Sequence, residues 1–239
     1  MTVLYRNTPD DGRRLLGECI LFAGLAAEQR RALVARSRIR ELAADETVFL
    51  MGSPGDSMMA VLSGNVRISV PSPDGKEIVL AILRPGEIFG EIALLDGKER
   101  TADARAANDC SLAILERRDV LSFFDQYPSS WQRLVEVLCE RLRLTDRQMA
   151  EVALLGLPVR LAKALLRMAA FDSPSAGGGA AAQIRLSQRE LGNLVGATRE
   201  SVNKCLREWQ RKGVVRIAES LVTIVDQPAL EELAELVEA

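Results

Sequence analysis

Histidine is absent from the 239-residue chain. That excludes an imidazole general base, a Ser-His triad, and zinc or haem held by histidine. Aromatic residues make up only 4% of the chain. The four cysteines, Cys19, Cys110, Cys139 and Cys205, all lie more than ten residues apart. There is no C-x-x-C pair, so neither zinc nor an iron–sulfur cluster has its ligand spacing. Thiols scattered in this way read as free thiols of a reducing compartment rather than a disulfide framework. No apolar run reaches 18 residues, and the opening MTVLYRNTPDDGRR lacks the apolar core of a signal peptide. The expectation is a cytoplasmic protein with no membrane partner. No nucleophile motif stands out either. These absences point to a binding protein, not an enzyme, with no metal, haem or cluster.

What is present is an ordinary globular balance, 48% apolar and 27% charged, at a length that allows two modest domains. Residues 12–36 read as helical. From Arg38 to Glu116 short apolar runs alternate with glycine-bearing turns at roughly ten-residue spacing, as in an antiparallel sandwich or barrel. The runs include residues 47–50, 66–70 and 77–83. Residues 117–126 read as a short helix. A long helix then spans 128–155, with Leu134, Leu138, Leu142, Thr145, Met149 and Val152 forming a heptad-like stripe. That stripe fits pairing with a second copy as a homodimer, or packing on its own domain. Gly156-Leu157-Pro158 breaks the helix as a hinge, a further helix runs from Val159 to about Phe171, and residues 173–179 form a loop. The expected domains are 1–127, 128–156 and 157–239.

Near the C-terminus, Ser187 and Glu190 fit a capping box that opens a helix with Leu191, Leu194 and Val195 on its apolar face. Gly196 permits a turn, and Thr198 caps a second helix running to about Lys212, buried through Val202, Leu206 and Trp209. This is a helix-turn-helix pattern. Its second helix is expected to present Arg199, Glu200, Asn203 and Lys204 to solvent, where they can reach base edges in a major groove. Between Arg185 and Arg216 there are eight basic residues against three acidic, a local net charge of +5 within a chain of net charge -2. From Ile217 onward there are six acidic residues and no basic one. Phosphate attraction follows the local field, so double-stranded DNA is the expected partner. The runs at 214–217 and 221–225 fit a hairpin wing, where Arg216 adds a phosphate contact.

The densest motif of the first domain is Phe89-Gly90-Glu91-Ile92-Ala93-Leu94-Leu95, followed by Arg100-Thr101-Ala102. Gly90 lets the backbone approach a ligand closely. The next residues, Ile92 and Ala93 among them, suit one helical turn with free N–H groups for an anion. Arg100 offers a fork for two phosphate oxygens and Thr101 a hydroxyl donor. Glu91 is an acceptor, which suits a ribose hydroxyl rather than a phosphate. Together they describe a pocket for a nucleotide with one anionic phosphate.

On these motifs the chain resembles the CRP/FNR family of bacterial transcription regulators, from about Leu21 to Val225. The family's cassette G-E-[IL]-A-L-L…R-[ST]-A stands here as Gly90-Glu91-Ile92-Ala93-Leu94-Leu95…Arg100-Thr101-Ala102. Its recognition helix R-E-[TS]-V-x-[RK] stands here as Arg199-Glu200-Ser201-Val202-Asn203-Lys204. The resemblance implies an α+β fold: an N-terminal cyclic-nucleotide-binding jelly-roll β-barrel, a long dimerisation helix and a C-terminal winged helix-turn-helix. It implies cAMP as allosteric ligand, with cGMP possible, and palindromic DNA with TGTGA-like half-sites. A response to another small molecule, or to none, is the alternative. RNA polymerase is an implied partner. Glu91 would hold the ribose 2′-hydroxyl, Arg100 and Thr101 the cyclic phosphate, and Arg141 would brace Glu91. Thr145 would contact adenine, with Asp146 at the position whose family Ser reaches in from the partner subunit. Arg199 and Glu200 would read a G·C pair, with Ser187, Gln188 and Ser201 also facing DNA. The chain departs from the family at three points. Asp146 replaces Ser and adds a negative charge near the base, Lys204 replaces the commoner Arg and loses a bidentate fork, and Gly156 replaces a helix-capping Asp.

Overall fold

The computed structural model describes residues 26, 28–29, 33, 35–72, 77–172, 183–218 and 221–235. Most of the expected helix at 12–36, the loop at 173–179, Cys19 and the wing turn Glu219-Ser220 lie outside the described residues. The chain divides into two compact units, Met1–Leu142 and Arg143–Ala239.

In the first unit the strands are β1 (Arg38–Leu42), β2 (Thr47–Phe49), β3 (Ser57–Ser63), β4 (Val66–Pro71), β5 (Glu77–Leu83), β6 (Ile88–Phe89), β7 (Asp103–Ala106) and β8 (Cys110–Glu116). They form two four-stranded sheets, ordered β1-β8-β3-β6 and β2-β7-β4-β5, with antiparallel pairing throughout. The arrangement is jelly-roll-like; the barrel expected from the sequence is two packed sheets rather than a closed ring. The unit also holds α1 (Glu91–Asp96), α2 (Arg117–Gln126) and the start of α3 (Ser129–Leu154).

The central strand β3 explains how the layers stack. Its residues alternate as in any strand, but both faces are covered. Met59 and Val61 join Leu42, Val66, Leu83, Phe89, Ala104 and Leu112 in the core between the sheets. Met58, Ala60 and Leu62 point the other way, into a core with Val120, Phe123, Phe124, Leu134 and Val137 of α2 and α3. Phe124 carries Trp131 against it at 4.6 Å between ring centroids. At 1.5 Å per residue, the 26 residues of α3 extend about 39 Å. The environment of its apolar stripe changes along that length: Leu134 is buried, whereas Leu142 is 62% exposed and Met149 70%.

The second unit holds α4 (Leu157–Asp172), β9 (Gln183–Arg185), α5 (Gln188–Val195), α6 (Arg199–Arg211), β10 (Val215–Ala218), β11 (Leu221–Ile224) and α7 (Gln227–Glu235). The wing is a three-stranded sheet of order β10-β11-β9, one strand more than the expected hairpin. Leu161, Leu165, Ile184, Leu191, Val202, Leu206, Trp209 and Val222 meet in one core, so α6 is fixed by its buried stripe while its other face stays exposed.

Candidate functional sites

The expected capping box is present. Ser187 Oγ accepts from Glu190 N–H at 3.2 Å, and Glu190 Oε2 accepts from Ser187 N–H at 2.7 Å. Ser187 Oγ also donates to Glu190 Oε2 at 2.8 Å. Its hydroxyl and its N–H both donate to Glu190, so both donors of Ser187 are committed to the cap. Thr198 Oγ1 accepts from Ser201 N–H at 3.2 Å and starts α6. The turn between the helices needs Gly192 as well as Gly196: a Cβ at Gly192 would meet the Ala197 carbonyl at 2.7 Å. Arg199, Glu200, Ser201 and Lys204 are exposed, and Gln188 is half-buried at the start of α5. Asn203 is less open than Arg199, Glu200, Ser201 and Lys204. It is half-buried, and its Oδ1 is sealed from solvent without a hydrogen-bond partner. One turn of α6 carries the chain from Arg199 past Val202, and position 203 lies beside that buried stripe. Arg216 is exposed on β10.

In the first unit, β6 ends at Gly90, whose φ of 78° and ψ of 5° are left-handed, and α1 follows at once. Arg100 is 4% exposed. Its Nη1 donates to the Gly90 carbonyl at 2.7 Å, and its Nη2 donates to the Ser57 carbonyl at 2.7 Å and reaches Ser57 Oγ at 3.2 Å. Its guanidinium carbon lies 4.3 Å from the centroid of the Phe49 ring. Its Nε is buried with no partner, an N–H donor left over at the site. Burial lowers the pKa of this guanidinium, and the charges of Asp56 and Glu91 oppose the shift.

Glu91 is 2% exposed. Its Oε1 accepts from Arg141 Nη1 at 2.7 Å, and Arg141 Nη2 also donates to the Ile88 carbonyl. A buried carboxylate is tolerable because it is paired. Ala93 is buried and turns its methyl towards Gly55, so what it has for a ligand is backbone; Ile92 and Thr101 are exposed. The structure thus brings Gly90, Glu91, Arg100 and Arg141 into one cluster. Thr145 and Asp146 belong to the second unit, where both are exposed on α3. Sequence reasoning missed Ser57 and Phe49, which fix Arg100. Phe49 carried no signal beyond its place in a strand. For Ser57 a signal existed: its position just after Gly55-Asp56, at the mouth of an apolar strand. Among the described residues there is no group of His, Cys, Asp or Glu able to hold a metal ion, and no helix long and apolar enough to cross a membrane.

Residues 39–127 match the cyclic nucleotide-binding domain family, and residues 159–233 match the Crp-like helix-turn-helix domain family. These two domains define a class: DNA-binding proteins with a nucleotide-binding sensory domain. The chain is 32% identical over 220 residues to the CRP-like cAMP-activated global transcriptional regulator of Mycobacterium tuberculosis, covering 92% of this chain and 98% of that one. It is 35% identical over 214 residues to the cyclic AMP receptor protein of Thermus thermophilus, covering 90% and 96%. Among solved structures, the c-di-GMP responsive global regulator CLP of Xanthomonas campestris matches with a TM-score of 0.74 at 26% identity, over 83% of this chain and 99% of that one. The chain belongs to the CRP/FNR family of DNA-binding transcription regulators, and its relatives are regulators rather than enzymes.

Proposed function

We propose that the protein is a homodimeric, cytoplasmic transcription regulator whose cassette binds cAMP and whose affinity for DNA rises when it does. The observation that carries this is the pairing of Arg100 and Glu91. A buried cation keeps one donor, Nε, unspent, beside a buried carboxylate already held by Arg141. A phosphate donor next to a ribose acceptor suits a cyclic nucleotide. In this reading Arg100, Thr101 and the backbone of Gly90, Ile92 and Ala93 take the phosphate, and Glu91 takes the ribose 2′-hydroxyl. Thr145 and Asp146 meet the base, with Asp146 supplied by the partner subunit. The exposed apolar half of α3 supports pairing with a second copy. The names of the mycobacterial and Thermus relatives support cAMP.

At the DNA end, Arg199 and Glu200 read a G·C pair of a TGTGA-like half-site in a palindrome. Lys204 reads its neighbour, and Gln188 and Ser201 secure the backbone. RNA polymerase is the partner on the promoter. Ligand that binds one arrangement better raises DNA affinity by its differential affinity for the two. A second reading has a specific support: the Xanthomonas neighbour is named as responsive to c-di-GMP, so the same fold serves another nucleotide.

The test is calorimetry with cAMP, cGMP and c-di-GMP, together with anisotropy on a palindromic duplex with and without each ligand. cAMP is expected to bind and to tighten DNA binding. Absence of cAMP binding at about 100 µM refutes the cAMP assignment. Arg199→Ala is expected to lose about 1–3 kcal/mol of specific binding, and unchanged specificity refutes the reading role of α6.

A further inference from the structure

A helix of six residues does not hold its own shape in water, because nucleation is costly and few bonds repay it. α1 nevertheless carries Glu91 and the first-turn amides of the cassette. Its last turn contains no basic residue of its own. The cation that helix C-termini favour comes from elsewhere. Arg117, the first residue of α2, donates from Nε to the Leu94 carbonyl at 2.6 Å. The backbone N–H of Arg117 donates to the Asp56 carbonyl at 2.8 Å. The same short loop presses Gly55 against the middle of α1, where a Cβ would meet Ala93 Cβ at 2.2 Å and the Lys98 carbonyl at 2.9 Å. One residue further on, Ser57 accepts from Arg100.

We propose that Arg117 is a positioning residue of the nucleotide site. It clamps the C-terminal end of α1 to the loop that also anchors Arg100, and so sets the spacing between the Glu91 carboxylate and the Arg100 guanidinium. Arg141 holds the N-terminal end through Glu91, and Arg117 is its counterpart at the other end. This rests on the reading of the cassette as a cyclic-nucleotide site, and the experiment separates the two.

Arg117→Met and Arg117→Lys are compared with Arg118→Met, whose side chain is 88% exposed. Amide hydrogen exchange is followed across the chain, and dissociation constants are measured for cAMP and 2′-deoxy-cAMP. In Arg117→Met, exchange at residues 91–97 is expected to rise about tenfold while β3 and β8 stay protected. Its cAMP affinity is expected to fall about tenfold, the equivalent of losing one charge-assisted hydrogen bond. Its preference for cAMP over 2′-deoxy-cAMP narrows, which a merely less stable fold would not cause. Arg117→Lys keeps a cation near the Leu94 carbonyl and recovers part of both effects, and Arg118→Met matches the parent. The inference is overturned if Arg117→Met leaves exchange at 91–97 and the ligand preference unchanged. If the parent binds no cAMP, the cAMP reading fails, and exchange at 91–97 alone decides whether Arg117 clamps α1. Should Arg117→Met not fold, Arg117→Lys against the parent gives the same decision.

Discussion

Replacing Gly90 with alanine tests the geometry of the cassette without removing any functional side chain. Gly90 sits at φ 78°, where a side chain costs about 1–2 kcal/mol. Its added Cβ would lie 2.6 Å from Arg100 Nη1 and 3.2 Å from the Ser57 carbonyl. Arg100 has little room to yield, because Nη1 and Nη2 are each bonded at 2.7 Å and Phe49 covers the guanidinium at 4.3 Å. Moving it breaks at least one charge-assisted bond, about 1.5–3 kcal/mol. The total is about 2.5–5 kcal/mol, shared between fold and ligand affinity. Gly86→Ala is the control. Its φ is 91°, but a Cβ there meets nothing within 4 Å, so only the backbone cost of about 1–2 kcal/mol applies. Urea unfolding, read by Trp131 fluorescence in a Trp209→Phe background, reports the first unit, since Trp131 stacks on Phe124. Gly90→Ala is expected to lose more stability than Gly86→Ala and to bind cAMP at least about tenfold more weakly. Equal losses within about 0.5 kcal/mol, or parental cAMP affinity in Gly90→Ala, refute the claim that Arg100 is held against Gly90.

Burial pushes the thiols of Cys110 and Cys205 up to about 11, helped by Glu41 and Glu208 respectively, while Cys139 is exposed. At pH 8 about 0.1% of either buried thiol is thiolate, so iodoacetamide followed by peptide mass spectrometry is expected to label Cys139 before Cys110 or Cys205. The same shifts carry a pH dependence. The unfolded thiols ionise near 9 and the folded ones near 11, so stability falls across that window, by about 1.4 kcal/mol per pH unit for each thiol; a flat urea midpoint from pH 9 to 11 contradicts it. Arg167 Nη1 holds both Glu151 oxygens, at 2.9 and 3.0 Å, and Arg160 Nη1 donates to the Val152 carbonyl at 3.0 Å, so α4 is fastened to the last turns of α3. A Glu151–Arg167 double-mutant cycle is expected to give about 1 kcal/mol of coupling at this half-exposed pair, and the charge swap to restore part of it. Ser187→Ala removes the capping box and is expected to cost about 1 kcal/mol in thermal unfolding of the second unit, with Thr198→Ala similar.

Local signals made the helix-turn-helix legible. Ser187, Glu190, Gly196 and Thr198 act on their own neighbours in the chain, and the caps form where the residue types predict. The cassette was legible for the same reason, since Gly90, Glu91 and Arg100 lie within eleven residues. The sandwich was half legible. The runs that stand out by eye, 47–50, 66–70 and 77–83, are β2, β4 and β5, all of one sheet. The other sheet is built round β3 and β8, whose two faces are both buried. Such strands lose the alternation that marks a half-exposed one. The partners that fix Arg100 and α1 stayed hidden for a different reason. Ser57 and Arg117 lie 43 and 23 residues from the groups they hold, and no local pattern records a pairing across sheets.

The stripe on α3 shows where periodicity stops being informative. Residues 134, 138, 142, 145, 149 and 152 share one heptad-like spacing, yet they do not share one environment. Leu134 and Val137 are buried in the first unit's own core, and Leu138 packs against it. From Leu142 onward the same face is open: Leu142, Met149 and Val152 are 62%, 70% and 55% exposed. Packing of the first turns on their own domain therefore leaves the later turns exposed along the same stripe. The first three turns serve the domain that carries the cassette, and the rest is the part proposed to pair. A helix divided in this way has a physical consequence. Arg141, which bonds Glu91, is the last arginine before the exposed half begins, so under the proposed function any movement of Glu91 would act on the helix where one kind of packing gives way to the other.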